Sequence, residues 1–548
     1  MPDPSNASTS TSAPVAPPHL RARFQLDGEQ RDRLRGMIAG ALAAMAMLVS
    51  IVIVRSLTGI ISFLDVLADA LLLALPIGLF SYLLGLFGTQ AKTLLLVGLI
   101  VLLILIGALL GLMYARQSAG SRRVQWARAM MYGISLFAGM TVFTLLFVNS
   151  REPNLVAGGG VWRVIGSLAV VAAVFALILG IVLHLLRRLD PAPVVSWPTS
   201  EQGEPASVQT GALDRRRLVT RLGLGVASIA GVLMLGREVA RVANRKTVAG
   251  GPSGEMPPVF TPNDDFYVVS KNFVDPDPHR GDEWSIRIDG LVTNPLTLTR
   301  SDLEALQVHD FVSTLTCISN PIAGPLIGTA RWTGVPLATV LRKAGVGAGA
   351  FKLICEGEDG YSDSIPIERA LMPEPHIVWA MNGEPLPRLH GTPVRLIVPG
   401  LYGIKNVKWL TKLTVTPSDY QGYWQQRDWT DTAIIKTSSR IDMPGDRSLI
   451  SPGPTEIGGI AFAGDRGISA VEVSTDDGKT WLQASIVENP SPGGLSWVLW
   501  KLPWSPEPGA YQLVVRATDG TGEVQTEKGA PELPDGASGW HRITVGVA

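Results

Sequence analysis

Cysteine and charged side chains are scarce in this 548-residue sequence. It has two cysteines, Cys317 and Cys355, and no CxxC or CxxCH motif, which argues against a small disulfide-stapled fold, c-type haem attachment and a cysteine-ligated iron–sulfur cluster. Charged residues make up 17%, and 47 Lys and Arg balance 47 Asp and Glu. A disordered chain and a nucleic-acid-binding protein driven by bulk positive charge are therefore excluded. Because soluble domains average about 25% charge, part of the chain is predicted to lie in a membrane.

The shortage of charge is confined to the first part of the chain, where residues 37–186 hold 11 charged side chains in 150 positions. From residue 251 onward the composition is that of an ordinary globular domain. A helix needs about 20 apolar residues to cross a bilayer, and five stretches come near that length. They are residues 37–54, 93–115, 127–148, 165–186 and 218–235. The sequence thus predicts a polytopic membrane domain at 37–186 and a last transmembrane helix at 218–236.

A further apolar stretch, residues 60–87, contains Asp65, Asp69 and Pro76, which disfavour a membrane-spanning helix. If it does not cross, the positive-inside rule counts 15 Lys and Arg inside and 4 outside. If it crosses, with the soluble part kept outside, the counts are 11 and 8. We therefore expect an interfacial or re-entrant segment, five crossings, a cytoplasmic N-terminus and an extracytoplasmic C-terminal part.

Two polar segments flank the membrane helices. Residues 1–36 are predicted to be a disordered cytoplasmic N-terminus, and residues 187–217 a cytoplasmic linker rich in proline, glycine and serine. The linker ends in the run Arg215-Arg216-Arg217-Leu218-Val219, which is similar to a twin-arginine export signal. A basic flank that orients the last helix is the alternative. An export signal here predicts that the soluble part folds around a cofactor in the cytoplasm before it crosses.

The two cysteines stand in different surroundings. Cys317 ends the predicted strand 311–317 and opens into a loop that continues with Ile318 and Pro321, where a thiolate can reach a soft or high-valent metal. A buried structural cysteine is the alternative. Cys355 lies in the apolar run 351–355 and is predicted to be a core residue, and a disulfide between the two cysteines is left open.

A second constellation is basic. Arg388, His390, Arg395, Lys405 and Lys408 surround glycine-rich turns beside an apolar strand. Cations together with accessible backbone N–H groups suit a phosphate, so the pattern indicates an anion pocket. A basic loop with a solvated face is the alternative interpretation.

Several ordered motifs between residues 261 and 410 resemble the molybdopterin domain of the sulfite oxidase family. The motifs are TPNDDFYV (261–268), WSIRIDGLVTNPLTLTRSDLEAL (284–306), LTCISN (315–320), GTARWTGVPL (328–337), EGEDGYSDSIP (356–366), MNGEPLPRLHGTPVRLIVPG (381–400) and KNVKWL (405–410). The resemblance implies an α+β molybdopterin oxidoreductase domain at 255–450 and a molybdenum–molybdopterin cofactor.

The resemblance also implies a role for each matching position. Cys317 falls at the molybdenum-ligating cysteine, and Asp359 at a carboxylate that contacts the cofactor. His390 and Arg395 match a pair that binds the pterin and its phosphate. Two further groups line or close the site. They are Asn263, Phe266, Tyr267 and Val268, which line the metal and pterin, and Asn406, Val407 and Lys408, which close over the pterin.

Two departures from the family pattern concern the substrate. Val269 stands where sulfite oxidases place an arginine, and Trp429, after Arg427 and Asp428, stands where we expect a tyrosine. Losing a cation and a phenol argues against sulfite as the substrate. Asp428 and Trp429 are retained as candidate catalytic residues, with Trp429 either walling a pocket for a neutral substrate or packing in the core.

Residues 451–548 are predicted to form an Ig-like β-sandwich, because short alternating strands are separated by Asp-Gly turns. This part is similar to the dimerisation domain that follows the molybdenum domain in sulfite oxidases, which implies a homodimer. Trp481, Trp497, Trp500 and Trp504 are expected to be core or interface anchors.

The sequence therefore predicts an all-α transmembrane bundle, an α+β molybdopterin domain and an Ig-like β-sandwich. The predicted protein is a multi-pass, membrane-anchored enzyme in contact with lipid. It catalyses two-electron oxygen-atom transfer on a small substrate outside the cytoplasm and exchanges electrons with a quinone or a cytochrome. No haem or iron–sulfur cluster is expected, since His184 is the one histidine in a predicted span. The alternatives are a membrane transport or sensory protein carrying a molybdopterin-like domain, and a cofactor-free binding module.

Overall fold

The computed structural model describes residues 27–58, 62–74, 91–117, 121–149, 160–188, 223, 229–237, 251–271, 275–276 and 284–548. The chain divides into two compact units. The first comprises Met1–Ile60, Gly98–Leu145 and Gly159–Gly236, and the second comprises Ile61–Val97, Leu146–Gly158 and Arg237–Ala548.

Long apolar helices dominate the N-terminal part of the chain. They are α1 (Gly28–Thr58), α3 (Ala91–Gln117), α4 (Arg122–Asn149) and α5 (Gly160–Arg188), with the shorter α2 at Phe63–Ala74. Among the described residues, four helices are long and apolar enough to cross a membrane, and they contain the first four predicted spans. Their helical state was predicted from the apolar runs, and it is confirmed.

Helix α1 begins at Gly28, which corrects the expectation of disorder for residues 28–36. Asp27 and Gln30 cap the helix reciprocally, since the Gln30 N–H donates to Asp27 Oδ1 at 2.6 Å and the Asp27 N–H donates to Gln30 Oε1 at 3.2 Å. Such a capping box satisfies N–H groups that a helix start otherwise leaves without acceptors. Residues 1–26 lie outside the described part of the chain.

Glycines let α1 and α3 approach each other closely. A Cβ atom on Gly40 would overlap the Gly107 carbonyl oxygen, and one on Gly111 would overlap the Gly36 carbonyl oxygen. Both helices therefore carry a glycine pair at a spacing of four, the arrangement that lets membrane helices pack backbone against backbone. The small residues Ala39, Ala43 and Ala44 of α1 are likewise buried.

One polar contact joins three helix ends in the first unit. Arg187, at the end of α5, pairs with Asp32 near the start of α1 at 2.6 Å, and its Nη2 also donates to the carbonyl of Ala115 near the end of α3 at 3.2 Å. The start of α4 is beside the same end of α3, because the Tyr114 hydroxyl donates to the Gln125 carbonyl at 3.0 Å. Consecutive long helices are therefore antiparallel.

The remaining membrane predictions fall partly outside the described residues. In the stretch 60–87, α2 is 12 residues long, and Asp65 serves its N-terminus by accepting from the Ser62 N–H at 2.9 Å and the Ser62 hydroxyl at 2.7 Å. Residues 75–90, the linker from 189 and the arginine run at 215–217 are not described. Of the fifth predicted span, residue 223 and residues 229–235 are described, and they are helical.

Ten strands of the second unit form one mixed sheet and one antiparallel sheet. The strands are β1 (Ser285–Gly290), β2 (Leu296–Thr299), β3 (His309–Thr316), β4 (Ile327–Pro336), β5 (Lys352–Gly357), β6 (Ser362–Pro366), β7 (His376–Met381), β8 (Glu384–Pro385), β9 (Arg395–Ile397) and β10 (Leu410–Thr416). One sheet has the order β2-β1-β10-β5-β6, and the other has the order β3-β4-β7-β8 with β9 beside β7. Short helices α6 (Arg300–Glu304), α7 (Leu337–Ala344) and α8 (Ile367–Ala370) connect them.

These two sheets and α7 enclose one apolar core. Its buried side chains include Ile286 of β1, Leu341 of α7, Leu353 of β5 and Ile377 of β7. Cys355 is buried in this core, as predicted, and both cysteines are free. The disulfide that the sequence left open does not form.

The C-terminal strands form two sheets that share a second core. The strands are β11 (Ser438–Met443), β12 (Leu449–Ile450), β13 (Thr455–Phe462), β14 (Ile468–Ser474), β15 (Leu482–Gln483), β16 (Ser485–Glu488), β17 (Val498–Trp504), β18 (Gly509–Asp519) and β19 (His541–Val547). Their orders are β11-β13-β17-β16 and β12-β19-β18-β14-β15. Since β11 pairs with β13, this layer begins before residue 451, where the sequence placed the boundary. The immunoglobulin topology stays a prediction.

Contacts across the second unit connect this layer to β3. The Thr314 N–H donates to the Leu495 carbonyl at 3.0 Å, and the Trp497 N–H donates to Thr314 Oγ1 at 2.8 Å. The Trp497 indole N–H also donates to the Val259 carbonyl at 3.1 Å. Trp497 and Trp500 are buried, as predicted for core anchors.

Candidate active site

A pocket opens at the end of β3, where the chain leaves the strand at Cys317. Including its open mouth, the pocket holds about 710 Å³ of space between its walls. The lining residues come from six chain segments. They are Phe266, Tyr267, Val268, Val269, Ser270, Lys271, Leu315, Cys317, Asp359, Tyr361, Leu389, His390, Arg395, Gly403, Ile404, Asn406, Lys408, Trp409 and Trp424.

The thiol of Cys317 is buried but borders this pocket. The backbone N–H of Cys317 donates to the Leu326 carbonyl at 2.9 Å, and this hydrogen bond fixes the turn after β3. The Sγ atom lies 3.1 Å from the Ser319 hydroxyl. Burial raises the pKa of the thiol, although the Ser319 hydrogen bond lowers it. A thiolate in this position therefore needs a positive partner such as a metal ion.

Aromatic rings hold the chain beside the thiol. Phe266 contacts Trp332 and His390 edge-on, with ring centroids 5.9 and 5.6 Å apart, and stacks on Tyr267 at 5.5 Å. Burial raises the pKa of the Tyr267 phenol, so this phenol stays neutral. Edge-on and stacked rings pack rigidly, which fixes this wall of the pocket.

His390 and Arg395 form the polar floor. His390 Nε2 donates to the Asn263 carbonyl at 3.0 Å, and burial together with the charge of Arg395 lowers the pKa of His390 to about 4. The ring is therefore neutral at physiological pH. The guanidinium of Arg395 donates to the His390 carbonyl at 3.0 Å and to the Asn406 carbonyl at 3.3 Å. Burial lowers the pKa of Arg395 to about 10, so it remains a cation.

Two lysines add positive charge to the lining. Lys408 Nζ donates to the carbonyls of Val269 and Leu389 at 3.1 and 3.2 Å, and Lys271 Nζ donates to the Asp359 carbonyl at 2.8 Å. Burial raises the pKa of the Asp359 carboxyl. The lining therefore holds three cations and one weakened acid, a balance that favours an anionic ligand.

The structure does not bring every predicted site residue to the pocket. Asn406 lines it, whereas Val407 packs in the core and Asn263 reaches the site through its backbone carbonyl. Asp428 is exposed, and Trp429 lies against Trp424 with ring centroids 6.4 Å apart. Trp424 therefore lines the pocket in place of Trp429.

Sequence reasoning missed Tyr361, whose hydroxyl donates to the Ile404 carbonyl at 2.6 Å and lies 3.1 Å from Asp363 Oδ2. Tyr361 and the predicted Tyr267 both line the pocket, so phenols are present although Trp429 stands where a tyrosine was expected. Lys271, Trp409 and Trp424 were also missed. Tyr361 and Trp409 could have been found from their place inside the motifs at 356–366 and 405–410. Tyr361 stands two positions after Asp359, and Trp409 directly follows Lys408.

A buried thiol next to a cation-lined pocket, in an α+β domain followed by a two-sheet layer, suits an anionic cofactor that carries a metal. Residues 274–424 match the family described as oxidoreductase molybdopterin binding domain, and residues 430–548 match the Mo-co oxidoreductase dimerisation domain. The chain belongs to the sulfite oxidase family of molybdopterin-dependent oxidoreductases, and it is an enzyme. The dimerisation match supports a homodimer.

Similar proteins include sulfite oxidase of Gallus gallus, 31% identical over 53% of this chain and 74% of that protein. Mitochondrial sulfite oxidase of Drosophila melanogaster is 30% identical over 53% of this chain, which spans 61% of the fly protein. Among solved structures, the sulfane dehydrogenase SoxCD from Paracoccus pantotrophus aligns with a TM-score of 0.42 and 22% identity, over 61% of this chain and 90% of that one.

The pocket residues fit a molybdopterin group. Arg395 Nε is buried without a hydrogen-bond partner among the described residues, although the two Nη atoms are bonded. An unsatisfied buried donor is costly, and a phosphate oxygen would satisfy it. The Cys317 thiol borders the same cavity, so a side chain able to ligate a metal and one able to bind a phosphate lie in one pocket.

Proposed function

We propose that this chain is a membrane-anchored enzyme whose molybdopterin domain lies on the extracytoplasmic side and catalyses two-electron oxygen-atom transfer on a small substrate. The observation that carries the proposal is the Cys317 thiol, which borders the same pocket as Arg395, Lys271 and Lys408. A soft thiolate beside a set of cations suits a high-valent metal joined to a phosphorylated ligand.

Five of the lining residues have definite tasks in this proposal. Cys317 ligates the molybdenum, and His390, Arg395 and Lys408 hold the pterin and its phosphate. When bound, the cofactor supplies the two-electron redox chemistry of oxygen-atom exchange. Asn406 positions the closing turn, since its Oδ1 accepts from the Val398 N–H at 2.7 Å and its Nδ2 donates to the Tyr402 carbonyl at 3.1 Å.

The substrate is proposed to be a small molecule bound near Tyr361. Sulfite, the substrate in the names of the chicken and fly relatives, is the first compound to test. The phenol of Tyr361 and the cation of Lys271 both line the pocket and can hold an anion. Val269, which is 41% exposed, offers apolar contact to a neutral substrate instead.

The antiparallel helices support the proposed topology. The start of α1 and the end of α3 lie at one end of the first unit, where Arg187 contacts both. The stretch between α1 and α3 must then begin and end on the same side of the membrane, as expected if residues 60–87 do not cross. This leaves the N-terminus in the cytoplasm and, after a fifth crossing, the enzyme domain outside it. We also propose that the arginine run at 215–217 directs export.

Electron exchange completes the proposal. Since His184 is the one histidine in the predicted spans, a pair of axial histidines for haem would have to come from elsewhere. The electron carrier is therefore proposed to be a separate quinone or cytochrome.

Metal analysis of the purified full-length chain tests the enzyme assignment. The wild-type protein is expected to contain molybdenum in a stoichiometric amount, and Cys317→Ser is expected to abolish oxidation of sulfite or of another screened substrate with a redox dye, because it removes the metal ligand. Cys355→Ala is the matched control, since Cys355 is buried in the core away from the pocket. Full activity in Cys317→Ser, or wild-type protein without molybdenum, would contradict the proposal.

A further inference from the structure

A connected series of acidic and basic side chains leads from the pocket to the surface of the second unit. It begins at Tyr361, which lines the pocket. It continues through Asp363 and Lys405, whose side chains are 1% and 0% exposed. It ends at Asp431 and Lys352, next to Asp419, whose side chain is 63% exposed.

Each neighbouring pair of side chains in this series is within hydrogen-bond distance. Tyr361 Oη lies 3.1 Å from Asp363 Oδ2, and Lys405 Nζ donates to Asp363 Oδ1 at 2.7 Å. Lys405 Nζ also donates to Asp431 Oδ1 at 2.9 Å, and Lys352 Nζ donates to Asp431 Oδ2 at 2.6 Å. Lys352 further pairs with Asp419. No gap interrupts the path from the phenol to solvent.

The buried pair in the middle of this series, Asp363 and Lys405, needs an explanation beyond stability. A buried ion pair loses so much hydration that apolar residues of similar size often hold a fold equally well. Here Asp363 and Lys405 are buried beside a phenol that faces the pocket, and Gln425 Nε2 also contacts Asp363 Oδ2 at 3.3 Å. Burial raises the pKa of Asp363 above its ordinary value even though Lys405 lowers it.

We propose that Tyr361, Asp363, Lys405 and Asp431 form a proton relay between the active-site pocket and solvent. The proposal rests on the proposed function, because oxygen-atom transfer moves protons. Oxidation of a substrate X follows the balance X + H₂O → XO + 2 H⁺ + 2 e⁻, and the reverse reaction takes up the same protons. The electrons leave to, or arrive from, the separate carrier.

The relay transfers a proton in steps that restore every group. Tyr361 Oη turns from the Ile404 carbonyl, passes its proton to Asp363 Oδ2 and takes another from water in the pocket. Lys405 Nζ passes a proton to Asp431 Oδ1, and Asp363 passes the proton that came from Tyr361 on to Lys405. Asp431, whose side chain is 33% exposed, releases the proton to solvent. One proton crosses, and the charge of each side chain ends as it began.

The groups that face Asp363 are Tyr361, Lys405, Gln425 and the backbone of Ser364, whose N–H donates to Asp363 Oδ1 at 2.7 Å. Cys355, in the neighbouring strand β5, also senses the charge of Asp363, but burial raises its pKa and keeps it neutral. Asp363 is therefore the acid that passes a proton on from Tyr361.

Asp363→Asn tests the relay in the molybdenum-loaded full-length protein. Asparagine keeps the Oδ1 acceptor for Lys405 and Ser364 but cannot bind the transferred proton. The matched control is Asp442→Asn, which alters another buried carboxylate, paired with Arg440 at 2.9 Å, outside the relay. Molybdenum content and thermal unfolding are measured first, and both variants are expected to load the metal.

The readout is infrared difference spectroscopy during electrode-driven reduction, in H₂O and in D₂O. Wild-type protein and Asp442→Asn are expected to show a transient carboxyl band that rises and decays during reduction and shifts in D₂O, and Asp363→Asn is expected to lack it. Proton uptake on reduction, followed with an indicator dye, is expected to slow roughly 100-fold or more in Asp363→Asn, the scale on which a positioned proton donor acts.

The outcomes separate the relay from the function on which it rests. An unchanged carboxyl band and unchanged proton uptake in a metal-loaded Asp363→Asn protein would overturn the relay and leave the enzyme assignment standing. Wild-type protein without molybdenum would overturn the enzyme assignment and the relay with it. If Asp363→Asn does not fold, Tyr361→Phe removes the inner hydroxyl without altering the buried ion pair, and the same slowing of proton uptake is expected.

Discussion

Burial sets the charge of the titratable groups around the active site and in the C-terminal layer. His390 and His541 both have a pKa lowered to about 4 by burial, with a neighbouring arginine adding to the effect. His541 Nδ1 accepts the Ile441 N–H at 3.0 Å. Each ring must therefore lose this environment to become charged, which ties stability to pH.

The stability contribution of His541 is expected to disappear in acid. Because its folded pKa of about 4 lies below the unfolded value of about 6.5, the contribution is present above pH 6.5 and is lost as the pH falls through 4. The loss is up to about 3 kcal/mol by proton linkage. His541→Asn keeps an acceptor for the Ile441 N–H and cannot titrate, so its unfolding free energy should depend less on pH. Identical pH profiles for the two full-length proteins would refute this assignment.

The single residues that sequence reasoning found differ in kind from those that it missed. Cys317, His390 and Arg395 could be predicted because thiol and cation types stand out inside motifs. Trp424 could not, since its place in the pocket depends on how the segment after β10 folds back towards β6, and no local pattern encodes that distance. Trp429 is five residues farther along and packs on Trp424 instead.

Among the elements, the long helices follow directly from their apolar runs, whereas their ends and contacts do not. The start of α1 depended on polar caps that hydropathy ignores. The close approach of α1 and α3 depends on glycines at matching heights. Pairing of β1 with β10 is equally invisible to local patterns, because the two strands lie far apart in the sequence and pair in parallel.

The glycine contact between α1 and α3 can be tested by two alanine substitutions in one helix. Gly111→Ala would place a Cβ atom against the backbone of Gly36 and Gly40, whereas the same change at Gly98 meets nothing within 4 Å. Overpacking of this kind costs about 1–3 kcal/mol, and alanine otherwise favours a helix. Unfolding in detergent should therefore show Gly111→Ala destabilised and Gly98→Ala unchanged or more stable. Equal stability of the two variants would argue against close backbone packing.

At the scale of the whole molecule, composition predicted a membrane part and a globular part, and the motifs predicted the enzyme family. The boundary between the last two layers was misplaced, because β11 and the strands after it share the same mixture of apolar and polar residues as the preceding domain. Only the pairing of β11 with β13 reveals to which layer it belongs.

The proposed topology predicts where introduced cysteines are reached by a membrane-impermeant maleimide. Thr58→Cys and Thr89→Cys flank the stretch 60–87, and both should be labelled from outside, whereas Ser200→Cys in the linker should be labelled only after the membrane is permeabilised. Cys317 and Cys355 are buried and give a low background. If residues 58 and 89 are labelled from opposite sides, the stretch crosses once and the proposed topology is wrong.

The hydrogen bonds between Thr314 and the C-terminal layer have a consequence for how this protein can be divided. Thr314 lies three positions before Cys317. Trp497 donates hydrogen bonds to Thr314 of β3 and to the carbonyl of Val259. The turn at Cys317 therefore takes part of its support from a region that matches a dimerisation domain. A truncated polypeptide that stops before this region would lose the hydrogen bonds to Thr314 as well as its dimer partner. We therefore expect a loss of folded structure in the C-terminal layer to loosen the turn at Cys317 and to weaken cofactor retention.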